Sequence, residues 1–192
     1  MGALLIFSGF SLNLILHFAL GLRAIAEGQE RSPQVPLFQS GVLFIAVLLL
    51  WLAASYGLGF LAFGFLEYAL LFPLSVLVCM GLEALCARLF PSGAWQYKLF
   101  TAASAYDGLV LTALILTLHI ARTFLDALIL SAGFSLGTLL CIVLLNAIRK
   151  RSFLELVPPF MQGRPLMLIS LGLLSVLFTA LGLILFTTLG IY

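Results

Sequence analysis

Asp107 is the residue whose type and position most directly suggest chemistry. It lies part-way into a long apolar segment, and Gly108, which follows it, weakens a helix at that point. Because a carboxylate inside a lipid-embedded helix costs roughly 2.5–3.5 kcal/mol, this position predicts an ion or proton site at a helix break. The alternative is a structural role, in which Asp107 pairs with a cation such as Arg23 or with freed backbone amides.

Two further polar residues within apolar segments are candidates for the same kind of site. Glu83 lies about one turn before Arg88, so a paired or solvated end residue competes with an ion ligand as its interpretation. Asn13 is able to bond across helices, and packing is the simpler interpretation for it. We therefore rank Asp107 first, Arg23 as its counterpart, Glu83 next and Asn13 last.

The histidines and cysteines do not form a ligand set. His17 and His119 fall at different depths of their segments, which argues against a haem held by both. Cys79 and Cys86 have no histidine near them in the sequence, and buried cysteine behaves as a small hydrophobic residue. The sequence also lacks a nucleophile–base pair, a phosphate loop and a dinucleotide fingerprint. We expect no catalytic residue and no metal held by this chain.

The composition identifies the environment in which these residues act. Of 192 residues, 64% are hydrophobic and only 8% are charged, whereas soluble domains carry roughly 25% charged residues. This excludes a soluble enzyme, a nucleic-acid-binding protein and a disordered chain, and it predicts an integral membrane protein. The beginning of the chain lacks a basic region and a cleavage site, so we expect its first apolar segment to persist as a span.

Six apolar segments predict six transmembrane helices in one membrane domain, residues 1–192. A helical span needs about 20 apolar residues, which leaves room for short connections only. Three spans followed by three more, in halves 1–96 and 97–192, permit an inverted repeat with functional groups near the membrane midplane. The predicted spans are 2–22, 38–57, 66–88, 100–118, 124–147 and 166–190.

The basic residues predict the orientation of these spans. Cytoplasmic loops carry an excess of lysine and arginine. Of the nine basic residues only Arg122 falls in an even-numbered loop, so both termini are expected on the outer side. The odd-numbered loops contain Arg23, Arg31, Arg88, Lys98, Arg149, Lys150, Arg151 and Arg164.

A glycine pair in the fifth segment predicts a close helix contact. Gly133 and Gly137 form a G-x-x-x-G pattern, which allows another helix to approach closely. The partner helix belongs either to this chain or to another subunit, and the pattern does not distinguish the two.

The fifth segment and the loop after it carry a recognisable string. Residues 147–151 read AIRKR, 157–160 read VPPF, and Gly163 follows. The string resembles the six-helix membrane subunits of the Rnf and Nqr electron-transport complexes, as do Glu83, Asn13 and the Leu-Gly-Leu at 20–22. Outward termini favour the RnfA/NqrE type of membrane component.

The resemblance implies an all-α membrane fold of two inverted three-helix repeats, with spans one and four interrupted mid-membrane. It also implies a homologous inverted partner, and an iron or iron–sulfur centre that the two proteins hold through cysteines. This chain has Arg23 and Gly108 at those two cysteine positions, with Asp107 before the second. We therefore expect no metal centre in this chain alone and hypothesise an Arg23–Asp107 charge pair in its place.

The expected function is that of a multi-pass subunit of an Rnf/Nqr-like complex in a bacterial inner membrane. Such a complex couples electron transfer to Na⁺ or H⁺ movement, with iron centres and flavins carried by partner subunits. Other complex subunits and the lipid bilayer are the expected partners, and nucleic acid is not. The alternative is a stand-alone inverted-repeat transporter for a small solute or ion, with its site at Asp107 and Gly108.

Overall fold

The computed structural model shows a helical chain. Within the part that it describes, all regular elements are helices and there is no strand. The described residues are 5, 7–18, 34–58, 65–89, 108–152 and 164–188. The α-helices among them are α1 (Leu14–Phe18), α2 (Gln34–Ala53), α3 (Phe65–Leu89), α4 (Leu109–Ile120), α5 (Phe124–Ser152) and α6 (Arg164–Thr188).

Three helical stretches are long and apolar enough to cross a membrane, and the first of them continues from α2 into a π-helical turn, Ala54–Leu58. The stretches are Ser40–Gly57, Phe124–Ile148 and Leu168–Leu185. They match the predicted spans 38–57, 124–147 and 166–190, so helices with the length and apolar composition of a membrane span are confirmed at these places. Across the described residues the total of six spans stays a prediction, because the other apolar helical stretches are shorter than 18 residues.

The shorter stretches belong to the first, third and fourth predicted spans. Helix α3 has 25 residues, and its apolar part is Ala69–Leu82. Helix α4 has 12 residues, a length of about 18 Å at 1.5 Å per residue. This is roughly half of the ~30 Å hydrocarbon core of a bilayer. In the first span a π-helical turn, Phe7–Ser11, precedes the five-residue α1.

Helices α2 and α5 form the centre of the fold and run antiparallel. At one end of the pair the hydroxyl of Ser135 donates to the carbonyl of Ser40 at 2.7 Å. At the other end the rings of Trp51 and Phe124 lie 6.2 Å apart. The two helices therefore run in opposite directions. Successive spans alternate in direction, so spans two and five are expected to be antiparallel.

The N-terminal unit, defined here as Phe7–Phe18, runs parallel to α5. Ser8 lies against Gly133, whereas Gly9 and Asn13 lie against Gly137, so the contacts advance in the same direction along both segments. Spans one and five are both odd-numbered in the predicted order. Two odd-numbered spans cross the membrane in the same direction, so their parallel course agrees with the predicted order.

The helix contacts have a pattern in which the two halves exchange roles. Helix α1 packs on α5 and α6, and α4 packs correspondingly on α2 and α3. The contact of α2 with α3 likewise corresponds to that of α5 with α6, and α1 also touches α4. Exchanging α1, α2 and α3 with α4, α5 and α6 therefore maps these contacts onto one another in pairs and the contact of α1 with α4 onto itself. The contact of α4 with α5 is an exception, because within the described residues α1 and α2 do not pack to the same extent.

The outer helices α3 and α6 present apolar side chains to the outside. Leu77 on α3 is 67% exposed and Val176 on α6 is 70% exposed, while Val47 and Leu130 on the central helices are fully buried. Such surfaces would be unfavourable in water and are suited to lipid acyl chains. All of these helices are apolar in sequence, so composition does not distinguish core from surface. The core lies where helices are surrounded by other helices.

Candidate functional site

The first predicted span is not one continuous α-helix in its described part. Its π-helical turn ends where the amide of Leu12 donates to the carbonyl of Phe7 at 2.8 Å. The next residue, Asn13, is non-helical, and α1 begins at Leu14. Such π turns often occur at functional sites, and Asn13 lies at the junction of the two elements.

One oxygen of Asn13 caps the beginning of α1. Its side-chain Oδ1 accepts hydrogen bonds from the amides of Ile15 at 3.2 Å and Leu16 at 3.4 Å. These are two of the amides that a helix leaves without an internal partner at its start, and asparagine is among the preferred capping residues. The cap therefore allows a helix to start within an apolar interior.

The amide nitrogen of Asn13 joins two different segments. Nδ2 donates to the carbonyl of Gly137 on α5 at 2.9 Å and to the carbonyl of Gly9 at 3.3 Å. The residue is 1% exposed, so water does not substitute for these partners. Because carbonyls face the nitrogen and amides face the oxygen, a single orientation of the side chain satisfies all four contacts.

The two glycines of the G-x-x-x-G pattern make this junction possible. A Cβ at Gly137 would lie 2.5 Å from the carbonyl oxygen of Gly9, and one at Gly133 would overlap the hydroxyl of Ser8. The close contact that the pattern predicts is therefore present, and its partner is the N-terminal unit of the same chain. The sequence left open whether the partner belongs to this chain or to another subunit, and at these two glycines it belongs to this chain.

Hydroxyl groups continue the polar character of the junction along α5. Ser135 bonds across to α2, and Thr138 donates to the carbonyl of Ser135 at 2.8 Å. Ser131 donates to the carbonyl of Leu128 at 3.0 Å and is fully buried. Sequence reasoning missed the bond between α5 and α2. The signal was available, because Ser131, Ser135 and Thr138 recur at the spacing of one helix face.

The start of α4 has a different construction. Gly108 has φ +71° and ψ 6°, and it provides no side-chain hydrogen bond to the helix. Its carbonyl accepts the amide of Thr112 at 2.8 Å, as in a regular first turn. The left-handed conformation is one that glycine adopts readily and other residues adopt rarely. The start of α4 thus depends on glycine, whereas the predicted helix break stays a prediction because residues 101–107 lie outside the described part of the chain.

The other candidate residues are placed less completely. Asp107 and Arg23 lie outside the described residues, so their charge pair stays a prediction. Glu83 lies on α3, in a part where the backbone alone is described. His119 is exposed at the end of α4, with Nδ1 3.1 Å from the carbonyl oxygen of Ile115. Asn13 is the candidate whose contacts are described in full.

The residues at the two cysteine positions of the resembling family do not fit a thiolate-held iron centre. Gly108 has no side chain and Arg23 offers no lone pair to a metal, whereas such centres are held by cysteine thiolates. The buried cysteines Cys79 and Cys141 lie on α3 and α5 instead. Among the described residues, no three His, Cys, Asp or Glu side chains form a metal-binding group.

The comparison with known proteins agrees with the loop motifs. No protein-family model matches the chain. The chain is 26% identical over 172 residues to the A component of the ion-translocating oxidoreductase complex of Buchnera aphidicola subsp. Schizaphis graminum. The resemblance to the RnfA type is confirmed. The alignment covers 86% of this chain and 88% of the relative, so the similarity extends into both halves of the fold.

Proposed function

We propose that the chain is a membrane subunit of an ion-translocating oxidoreductase complex of the Rnf/Nqr kind. The observation that carries this proposal is the similarity to a component of such a complex over 86% of the chain and 88% of that relative. A match of this extent favours a common fold over a shared fragment.

The proposed architecture is six spans in two inverted three-helix repeats, with spans one and four interrupted within the membrane. The antiparallel α2 and α5, and the parallel N-terminal unit and α5, support this order of directions. The exchange of helix contacts between the two halves supports the repeat. The starts of α1 at Leu14 and α4 at Leu109 support the interruptions.

Within the complex the chain serves as a scaffold and as part of an ion path, without a metal centre of its own. Arg23 and Gly108 remove the ligands that the family positions would supply, so iron centres and flavins belong to partner subunits. A homologous inverted six-helix protein is the proposed neighbour in a bacterial inner membrane, with both termini of this chain on the outer side.

The ion path is proposed to involve the charged residues near the two helix starts. Asp107 directly precedes Gly108, where α4 begins, and Arg23 follows α1, which touches α4. A charge pair between them would join the two short helices, and Glu83 is the next candidate along the path. Removing one partner of a buried pair costs about 3–5 kcal/mol, so Asp107→Asn is expected to impair assembly or transport.

Purification of the tagged chain from native membranes in mild detergent tests the proposal. We expect a stable assembly that contains a second six-helix membrane protein together with at least one flavin- or iron-bearing partner. The measurements are the protein composition by mass spectrometry and the flavin and iron content of the purified material.

A second preparation from cells that lack the chain provides the control. There the remaining subunits are expected to lose their association with each other. A homo-oligomer without redox-active partners, which moves a solute after reconstitution into liposomes, would contradict the complex and favour the transporter.

A further inference from the structure

The side chain of Asn13 both caps α1 and bonds to α5, and this double role supports an inference beyond the proposed function. Its oxygen completes the first turn of α1, while its nitrogen bonds the carbonyl of Gly137 on α5. We propose that Asn13 is a positioning residue that sets the depth at which the N-terminal unit is seated on α5.

The glycine contact between the N-terminal unit and α5 does not by itself fix an axial position. Ser8 lies against Gly133 and Gly9 against Gly137, so the two backbones come close together, but neither glycine has a side chain that could bond to the partner segment. Smooth surfaces of this kind allow a segment to slide along its axis. The bond from Asn13 to Gly137 is polar and directional, so it favours one axial position.

The surroundings of Asn13 make any other position costly. The residue is 1% exposed, and its neighbours Leu14, Ile15 and Leu16 are also buried. If the N-terminal unit shifted by one residue, Nδ2 of Asn13 would lose its bond to Gly137 and keep only the bond to Gly9, which moves with the unit. An incompletely paired polar group in such an interior is costly. The seating is therefore determined by Asn13 and not by apolar packing alone.

The seating of the N-terminal unit also controls a second contact. Helix α1 follows Asn13 directly and touches α4, so the axial position of the unit sets how the two short helices meet. Helix α1 packs on α5, and Cys141 is a fully buried residue of α5 one turn beyond Gly137. Its spacing of four residues places it on the same face of α5 as Gly133 and Gly137.

Cys141 offers a native reporter of this seating. Its labelling by a membrane-permeant maleimide, in the full-length chain in native membranes, measures how often the region beyond Gly137 opens. Cys79 on α3 is buried and serves as an internal reference. A Cys86→Ser background removes the third thiol, and mass spectrometry of the labelled peptides gives both rates.

Asn13→Ser and Asn13→Ala separate a positioning role from helix capping alone. Serine keeps an acceptor for the amides of α1, whereas its side chain is too short to reach Gly137. Alanine loses both functions. If seating depends on the bond to Gly137, the maleimide should label Cys141 at least about tenfold faster in both variants than in the unaltered chain. A loss of about 1.4 kcal/mol in the free energy of local opening raises the open population tenfold.

Thr138→Ala is the matched control, because Thr138 is a buried residue of α5 whose hydroxyl donates within its own helix. It should leave the labelling of Cys141 within about twofold of the unaltered rate, since its loss breaks no bond between segments. The rate at Cys79 should stay constant in all variants.

Two results would overturn the inference. One is slow labelling of Cys141 in the Asn13→Ser chain, at the unaltered rate, together with fast labelling in the Asn13→Ala chain. This pattern is expected if Asn13 only caps α1. The other is rapid labelling of Cys141 in the unaltered chain. The amount of each variant in the membrane is a second measurement. Positioning predicts that the serine variant falls to the level of the alanine variant, whereas a cap alone predicts that the serine variant stays at the unaltered level.

These outcomes are independent of the proposed function. The labelling reads the seating of the N-terminal unit whether or not redox partners co-purify. A failure of the complex to appear would therefore leave the test of Asn13 intact.

Discussion

Helices α1 and α4 touch each other, but they begin in different ways. The first starts at a buried asparagine whose side chain also reaches α5. The second starts at Gly108, where the left-handed backbone, and no side chain of that residue, makes the turn. Side-chain chemistry thus stabilises the break before α1, and conformational freedom permits the start of α4, so different substitutions should disrupt them.

Gly137→Ala should have the largest effect on the break before α1. The added methyl group would lie 2.5 Å from the carbonyl oxygen of Gly9 and 3.2 Å from Nδ2 of Asn13, so the N-terminal unit must move away from α5. Overpacking of this kind costs about 1–3 kcal/mol. We expect a lower thermal unfolding midpoint for the detergent-solubilised chain.

Gly41→Ala on α2 is the matched control for that substitution. No heavy atom of the described chain lies within 4 Å of its added methyl group, and alanine favours a helix over glycine by about 1 kcal/mol. Its midpoint should be unchanged or higher. Equal losses in the two variants would show that the junction at Gly137 has no special importance.

Gly108→Ala should impair the start of α4 by a purely conformational mechanism. Within the described residues nothing approaches a Cβ at this position, but φ is +71°. A non-glycine residue pays about 1–2 kcal/mol there. Asparagine tolerates this conformation better, so Gly108→Asn should restore part of the loss in the unfolding midpoint. If alanine and asparagine behave alike, the left-handed start of α4 is not the cause.

Ser135→Ala tests whether the pairing of α2 and α5 depends on a polar bond as the break before α1 does. The hydroxyl donates to the carbonyl of Ser40 at 2.7 Å, and such interhelical bonds contribute about 0.6 kcal/mol on average in membrane proteins. We expect a small decrease in the midpoint. A decrease in the midpoint as large as that of Gly137→Ala would show that the bond between α2 and α5 contributes as much to stability as the junction at Gly137.

Asp126→Asn should have the smallest effect, and it sharpens the contrast with a third kind of helix start. Helix α5 begins with a reciprocal capping box, in which the backbone amide of Thr123 donates to the carboxylate of Asp126 at 3.2 Å and the backbone amide of Asp126 donates to the hydroxyl of Thr123 at 3.3 Å. Asparagine keeps an acceptor and loses the charge, at a cost of about 0.3 kcal/mol for an accessible helix start. A larger loss in the midpoint would indicate a role for the charge beyond capping.

Much of the architecture follows from sequence because it depends on composition and spacing. The apolar runs predicted the helices that contain Ser40–Gly57, Phe124–Ile148 and Leu168–Leu185, and Gly133 with Gly137 predicted a close helix contact. The partner of that contact was not predictable, since glycine marks a smooth surface without specifying what covers it. The N-terminal unit is the partner because Ser8 and Gly9 fit against these glycines and Asn13 donates to the carbonyl of Gly137.

The site was less accessible to sequence reasoning. Asn13 was recognised as able to bond across helices, but its double role requires the interruption between Leu12 and Leu14, and no periodicity in the sequence marks a π-helical turn. The bond from Ser135 to Ser40 joins residues far apart in the chain, so it depends on helix order. Asp107 and Arg23 stay sequence-based candidates.

Ion uptake by inverted membrane vesicles tests whether the chain belongs to a complex that couples electron transfer to ion movement. Vesicles from cells with the chain, from cells without it and from complemented cells are supplied with a reduced soluble carrier, and Na⁺ and H⁺ entry is recorded. We predict that uptake of one cation depends on electron transfer, disappears without the chain and returns on complementation. Unchanged uptake in vesicles that lack the chain would contradict this role.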